Sequence, residues 1–173
     1  MTAFRQKAAG AGIIPWRLDF DRLEEDFFHL LVTPPSPQPR TLSLAGARIV
    51  AGHLREAVAR RQERAVARVG HSRACPFDLH TLLPVPEAGI QLGPDHPESL
   101  AWLWQHWGTT QALRHVTEDT AAREDERRRS APALAMMQVR FWSADWTPWR
   151  ALAQIAKTWP TLRFDTRPTY DLS

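Results

Sequence analysis

Residues 33–40 read TPPSPQPR, four prolines in eight positions, and no regular element can run through them. Each proline lacks an N–H and fixes φ, so the run stops a helix, cannot sit in a central strand and reads as a stiff, extended spacer. It divides the chain into an N-terminal attachment, residues 1–39, and a core domain, residues 40–173. Before the spacer, LDFDRLEEDFFHLLV sets Phe20, Leu23, Phe27, Leu30 and Leu31 at helical spacing. Asp19 can cap that helix, and its acidic first half suits the positive end of the helix dipole. Residues 1–18 show no periodicity and read as a loose start.

After the spacer, RTLSLAG alternates Leu42 and Leu44 with Thr41 and Ser43, which predicts a half-buried strand ending at Gly46. The next segment, through Val69, predicts a long helix with Val50, Leu54, Val58 and Ala65 as its apolar stripe. Residues 75–99 form a Pro- and Gly-punctuated connection anchored by Leu79, Leu82, Leu83 and Val85. Ser99 can cap a short helical turn carrying Trp102, Trp104 and Trp107. TQALRHVTEDT predicts a strand, and AAREDERRRSAPA a charged hairpin loop. MMQVRFWSADW predicts a second strand, with Val139 and Phe141 on one face and Arg140 and Trp142 on the other. In WTPWRALAQIAKTWP, Thr147 sits at the N-cap and Pro148 at the first helical position, where a missing N–H costs nothing. Leu152, Ile155, Ala156 and Trp159 make its stripe, and Pro160 ends it. TLRFDTRPTY predicts a last strand, Leu162 and Phe164 inward. The order β-α-loop-β-β-α-β is that of a ferredoxin-like α+β sandwich, a four-stranded antiparallel sheet with two helices on one face.

Composition bounds the functions such a domain can have. With 173 residues and 43% hydrophobic content, the chain can bury a sizeable core. The net charge of +3 is mild, and Lys7 and Lys157 are the only lysines. Cys75 is the sole cysteine, which excludes an internal disulfide and a Cys-rich zinc module and suits a reducing compartment. No signal peptide and no apolar run near the ~18 residues of a membrane span is visible, so a cytoplasmic protein with no membrane partner is expected.

The pieces PFDLHTLLPVPE, WLWQHWGTTQAL and VRFWSADWTPWRALAQIAKTWPTLRFDTR, in that order, resemble the YubB-type ferredoxin-like family of plasmids, phages and other mobile elements. Its Phe-x-x-Leu-x-Pro-x-Pro stretch is loosely matched by Phe77, Leu82 or Leu83, Pro84 and Pro86. Its tryptophan before Trp-Gly-Thr is matched by Trp102, Trp107, Gly108 and Thr109. Its closing strand, proline-started helix and strand are matched from Val139 to Arg167. The family usually continues Trp-Gly-Thr with Lys-Trp, where this chain has Thr110 and Gln111. The resemblance spans roughly residues 40–170. It implies the ferredoxin-like fold and a mobile-element setting, and it assigns no activity.

Trp102 and Trp107 read as a packed corner with Gly108 as its turn; Trp104 and His106 read as the residues left exposed there. Arg140, Trp142 and Arg163 should lie on the open sheet face, a basic aromatic surface of the kind that stacks single-stranded bases. Arg60, Arg64 and Arg68 recur at i, i+4 and i+8 beside Arg61. Between residues 47 and 69, six arginines stand against Glu56 and Glu63, a local charge of +4. Such a stripe can track phosphates or an acidic partner, or be a solvated helix face with Glu56 and Arg60 paired.

No H-E-x-x-H, His-x-His or glycine-rich phosphate loop occurs among the seven histidines. Asp78 with His80, and Asp95 with His96, are the nearest approach to acid–base pairs, should His106 or His115 lie near. No catalytic residue, metal or cofactor is implied. The expectation is a non-enzymatic binding protein of a mobile element that contacts a host or element-encoded protein complex. The alternative is an RNA- or single-stranded-DNA-binding, or RNA-processing, domain.

Overall fold

The computed structural model describes residues 1–33, 42–119 and 135–169. Among these residues it has seven helices and one two-stranded sheet. In chain order the elements are α1 (Thr2–Ala8), α2 (Phe20–Val32), α3 (Leu44–Val66), α4 (Leu79–Leu82), α5 (Glu87–Leu92), α6 (Pro97–His106), β1 (Arg114–Glu118), β2 (Val139–Trp142) and α7 (Trp149–Thr158). The proline spacer and the charged 121–133 loop lie outside the described residues, apart from Thr33.

The expected four-stranded ferredoxin-like sheet is not formed among the described residues. The described part of the expected first strand starts a helix instead: the Ser43 hydroxyl accepts from the Gly46 N–H at 3.0 Å, an N-cap, and α3 begins at Leu44. Leu42 and Leu44 are exposed, so their alternation marks no buried face. The C-terminal segment keeps its alternation, with Leu162 and Phe164 packed against the core and Arg163 and Asp165 exposed. It has no strand partner among the described residues, and alternation without a ladder is not a strand.

β1 and β2 pair antiparallel, with Arg114 opposite Trp142 and Thr117 opposite Arg140. Three steps on β1 thus span two on β2, a bulge, and His115 within it takes a φ of 49°. One face of this ribbon meets the core: Val116, Val139 and Phe141 pack there, and the Phe141 ring stacks at 6.2 Å from Phe77. The other face turns Arg140 and Trp142 outward.

Residues 1–18 are no loose start. α1 places Phe4 and Ala8 in the core, and the Phe4 ring meets Trp159 and Phe164 edge-on at 5.3 and 5.5 Å. A backbone bridge joins Gly10 to Cys75 through bonds of 2.9 and 3.0 Å. Arg5 reaches the Met136 carbonyl at 2.7 Å and the Glu118 carboxylate at 3.1 Å, tying α1 to the ribbon. α2 packs on α3 as a helical hairpin. Leu103, Trp107, Leu152 and Ile155 bind α6 and α7 into the centre of the core. No described helix is long and apolar enough to cross a membrane.

Candidate functional site

The tryptophan segment forms the end of α6, which starts earlier than Ser99. His96 is the N-cap, its Nδ1 accepting from the Glu98 N–H, and Pro97 follows at the first helical position. Ser99 is buried and donates to the Gly89 carbonyl at 3.0 Å. Trp107 is wholly buried, its indole N–H donating to the Leu83 carbonyl at 3.1 Å. Trp102 is half-buried between Trp107, edge-on at 6.4 Å, and His106, stacked at 4.5 Å. Gly108 then turns the chain at a φ of 79°, a conformation that favours a residue without Cβ.

Two groups clamp this corner, Asp145 from the β2–α7 connection and Arg150 from the first turn of α7. Asp145 Oδ2 accepts from the Thr110 hydroxyl at 2.6 Å, the Thr110 N–H at 2.7 Å and the Thr109 hydroxyl at 3.4 Å. The Thr110 hydroxyl and N–H hold the Asp145 carboxyl below the usual carboxylate range. Arg150 donates to the Trp104 and Gln105 carbonyls at 3.1 and 3.4 Å, so a cation satisfies the carbonyl end of α6. The Ala151 N–H adds a bond of 3.2 Å to the Trp107 carbonyl.

Around this clamped corner the indoles turn outward: Trp104 is 47% exposed, Trp142 62%, Trp146 55% and Trp149 43%. Half of the chain's 8 tryptophans thus face solvent on segments that meet at the α6–α7 corner. Tryptophan is highly buried on average, so a group of exposed indoles on a rigid support is informative where one exposed leucine is not. Trp146, Trp149 and Arg150 were not singled out from the sequence. The signal was there: Trp142, Trp146 and Trp149 fall within eight residues, more indole surface than a four-residue strand and a ten-residue helix can bury.

The predicted residues fall on several elements. Trp104 and Trp142 belong to the corner. His106 lies half-buried against Trp102. Arg140 is exposed and ion-paired to Asp119 at 3.3 Å. Arg163 is exposed on the extended C-terminal segment rather than on a sheet. Arg60, Arg61, Arg64 and Arg68 are exposed on the outer side of α3 and the turn after it. Arg60 pairs with Glu56 at 3.4 Å, and Arg64 donates to the Arg60 carbonyl at 3.1 Å.

The acid–base candidates are committed to structure. Asp78 is buried and accepts from the Gly12 and His80 N–H groups, both at 2.9 Å, and from the Thr81 hydroxyl at 3.0 Å. His80 Nδ1 accepts from the Val85 N–H at 3.2 Å, and burial pushes the ring's pKa down against the pull of Asp78. Burial pushes the Cys75 thiol up, and it donates to the Phe77 carbonyl at 3.3 Å, the opposite of an activated nucleophile. No group of three His, Cys, Asp or Glu side chains able to hold a metal occurs among the described residues. A shallow cleft of about 370 Å³ runs beside Trp16, Asp95, Leu100 and Arg114.

The Asp145 clamp has a pH signature. Its folded carboxyl titrates below the unfolded one, so its contribution is complete above the ordinary aspartate pKa of about 3.9 and is lost as pH falls through the folded value. Asp145→Asn should melt below wild type at neutral pH and converge with it in acid. Melting curves across that range check this; a constant gap down to about pH 2.5 would contradict it.

No family model, curated protein or solved structure matches the chain.

Proposed function

We propose that this chain is a non-enzymatic binding protein that recognises a partner protein through the tryptophan corner. The observation that carries the reading is the set of four exposed indoles fixed around the Asp145 and Arg150 clamp. Tryptophan and arginine dominate the few residues that supply most interface energy, because a rigid indole buries much apolar area at little entropic cost. A preorganised support lowers the ordering cost of binding further. In the mobile-element setting that the YubB-type resemblance suggests, the partner is a protein complex of the host or the element, bound so as to modulate host defence.

The RNA or single-stranded-DNA reading has one observation in its favour, the outward pair Arg140 and Trp142 on β2. It is the weaker reading. Arg140 and Arg60 already face carboxylates, and the broad sheet surface that would stack bases is not formed among the described residues.

Affinity capture from the host with wild type and a Trp142→Ala/Trp146→Ala variant tests the proposal. The captured complex should weaken by about 30-fold or more, equivalent to about 2 kcal/mol, while the melting midpoint stays unchanged. Equal capture by both proteins sinks the corner as the site. Salt-sensitive binding of labelled single-stranded RNA, lost on changing Arg60, Arg64 and Arg68 to glutamate, would move the assignment to nucleic acid.

A further inference from the structure

The cleft of about 370 Å³ opens where three irregular segments meet: residues 12–16 after α1, the Pro94–Asp95 step before α6, and residues 110–114 entering β1. Its size and its mostly apolar lining, with a few polar groups, are those of a small-ligand site. Ile13, Leu100 and the half-buried Trp16 ring supply the apolar wall.

Several backbone donors around the cleft are already spent. The Gly12 N–H bonds Asp78, the Trp16 N–H bonds the Ile14 carbonyl, and the Thr110 N–H bonds Asp145. Leu113 differs. It is buried, yet neither its N–H nor its carbonyl has a hydrogen-bond partner among the described residues. Arg114 stands opposite Trp142 on β2, so strand alternation turns both Leu113 groups to the open edge of β1. Buried backbone groups are almost always bonded, and this donor and acceptor match the C=O and N–H of one residue in an extended peptide.

The side chains of the cleft add one free charge of each sign. Asp95 is exposed and in no ion pair among the described residues. Arg114 is also exposed, donates to Gln111 Oε1 and meets no carboxylate among the described residues. A carboxylate, a backbone donor–acceptor pair and a guanidinium are the complement of an ammonium, an amide backbone and a carboxylate. We infer that the cleft binds a short peptide with both termini free. Asp95 takes its ammonium, Leu113 its backbone and Arg114 its carboxylate, for which the planar guanidinium fork is suited. An apolar side chain of the peptide packs on Trp16 and Leu100. Thr110 belongs both to the cleft wall and to the Asp145 clamp, so the cleft shares the corner's support but none of its exposed indoles.

Titrating the full chain with the tripeptide Ala-Leu-Ala, followed by calorimetry and amide NMR, should give a Kd of about 0.1–1 mM. The largest shift should fall on the Leu113 amide. Acetylating the peptide's N-terminus should weaken binding to wild type by about 10-fold and leave binding to Asp95→Asn unchanged. Amidating its C-terminus should do the same to wild type and nothing to Arg114→Gln. Both substitutions change exposed side chains, so the melting midpoint should hold. No binding at about 10 mM peptide, or equal binding of the doubly blocked peptide, overturns the inference. So does a blocking penalty that survives the matching substitution. Trp142→Ala/Trp146→Ala should bind the tripeptide as wild type does, and loss there would place the peptide on the corner instead.

Discussion

Trp107→Ala should lower the unfolding free energy by about 3–5 kcal/mol, the range for emptying a buried tryptophan site. The indole is wholly buried and central to the contacts of α6 with α7. Its removal leaves a cavity and takes the N–H partner from the Leu83 carbonyl, which Trp107 holds at 3.1 Å. For a chain of this length, such a loss moves the melting midpoint down by roughly 10–15 °C. Trp107→Phe keeps most of the volume and loses only the hydrogen bond and part of the ring, so its cost should be about 1–2 kcal/mol. Trp104→Ala, three residues away and half exposed, should stay within about 0.5 kcal/mol of wild type. Urea denaturation of the three variants checks the series. A Trp107→Ala protein with a wild-type midpoint would mean that the corner is not packed as described.

The same pair of tryptophans shows what the sequence could and could not disclose. Trp107 next to Gly108 reads as a packed corner because a turn at positive φ favours glycine and a large ring can lock it. The buried indole and the φ of 79° have that form. β1, β2 and α7 were likewise legible as elements, although α7 starts one residue later than expected: Pro148 rather than Thr147 is its N-cap, with no side-chain cap bond, and the helix begins at Trp149. Leu42-Ser43-Leu44 was misread because three alternating residues fit a strand and a capped helix start equally well. Ser43 decides between them by bonding the Gly46 N–H, a local contact that no periodicity reports. The C-terminal segment fails as a strand for the opposite reason. Its alternation is real, but a strand is defined by a neighbour, and pairing is a tertiary event.

α1 was invisible because seven residues offer only Phe4 and Ala8 as an i, i+4 pair. Its stability comes from what Phe4 touches rather than from its own turns. Trp146 and Trp149 were overlooked because each was assigned to an element and none was weighed against the area available to bury it. Counting indoles against the core volume of a short strand and a short helix would have exposed the surplus. The arginine stripe was legible as a stripe, and its Glu56–Arg60 pair has the predicted i, i+4 form.

Asp78→Ala should cost about 3–5 kcal/mol, nearly as much as Trp107→Ala, although it removes only a small polar group. The buried carboxylate accepts from three donors: the Gly12 N–H, the His80 N–H and the Thr81 hydroxyl. Deleting it leaves backbone donors of two segments with nothing to bond, and each orphaned group costs about 1–3 kcal/mol when water cannot reach it. The position is also fixed sterically. A Cβ on Gly10 would clash with both Asp78 Oδ2 and Thr81 Oγ1, so the backbone just after α1 is pressed directly onto this carboxylate. Asp78→Asn is the sharper test because it preserves the shape. One amide oxygen can accept from His80 or from Gly12, and the NH₂ group then points a donor at the other donor. Asn should therefore recover little of the loss, whereas a mere volume effect would let it recover nearly all. Denaturant midpoints of the two variants distinguish these outcomes. A near-wild-type Asp78→Asn protein would show that the carboxylate fills space at the α1–α4 junction rather than holding its donors.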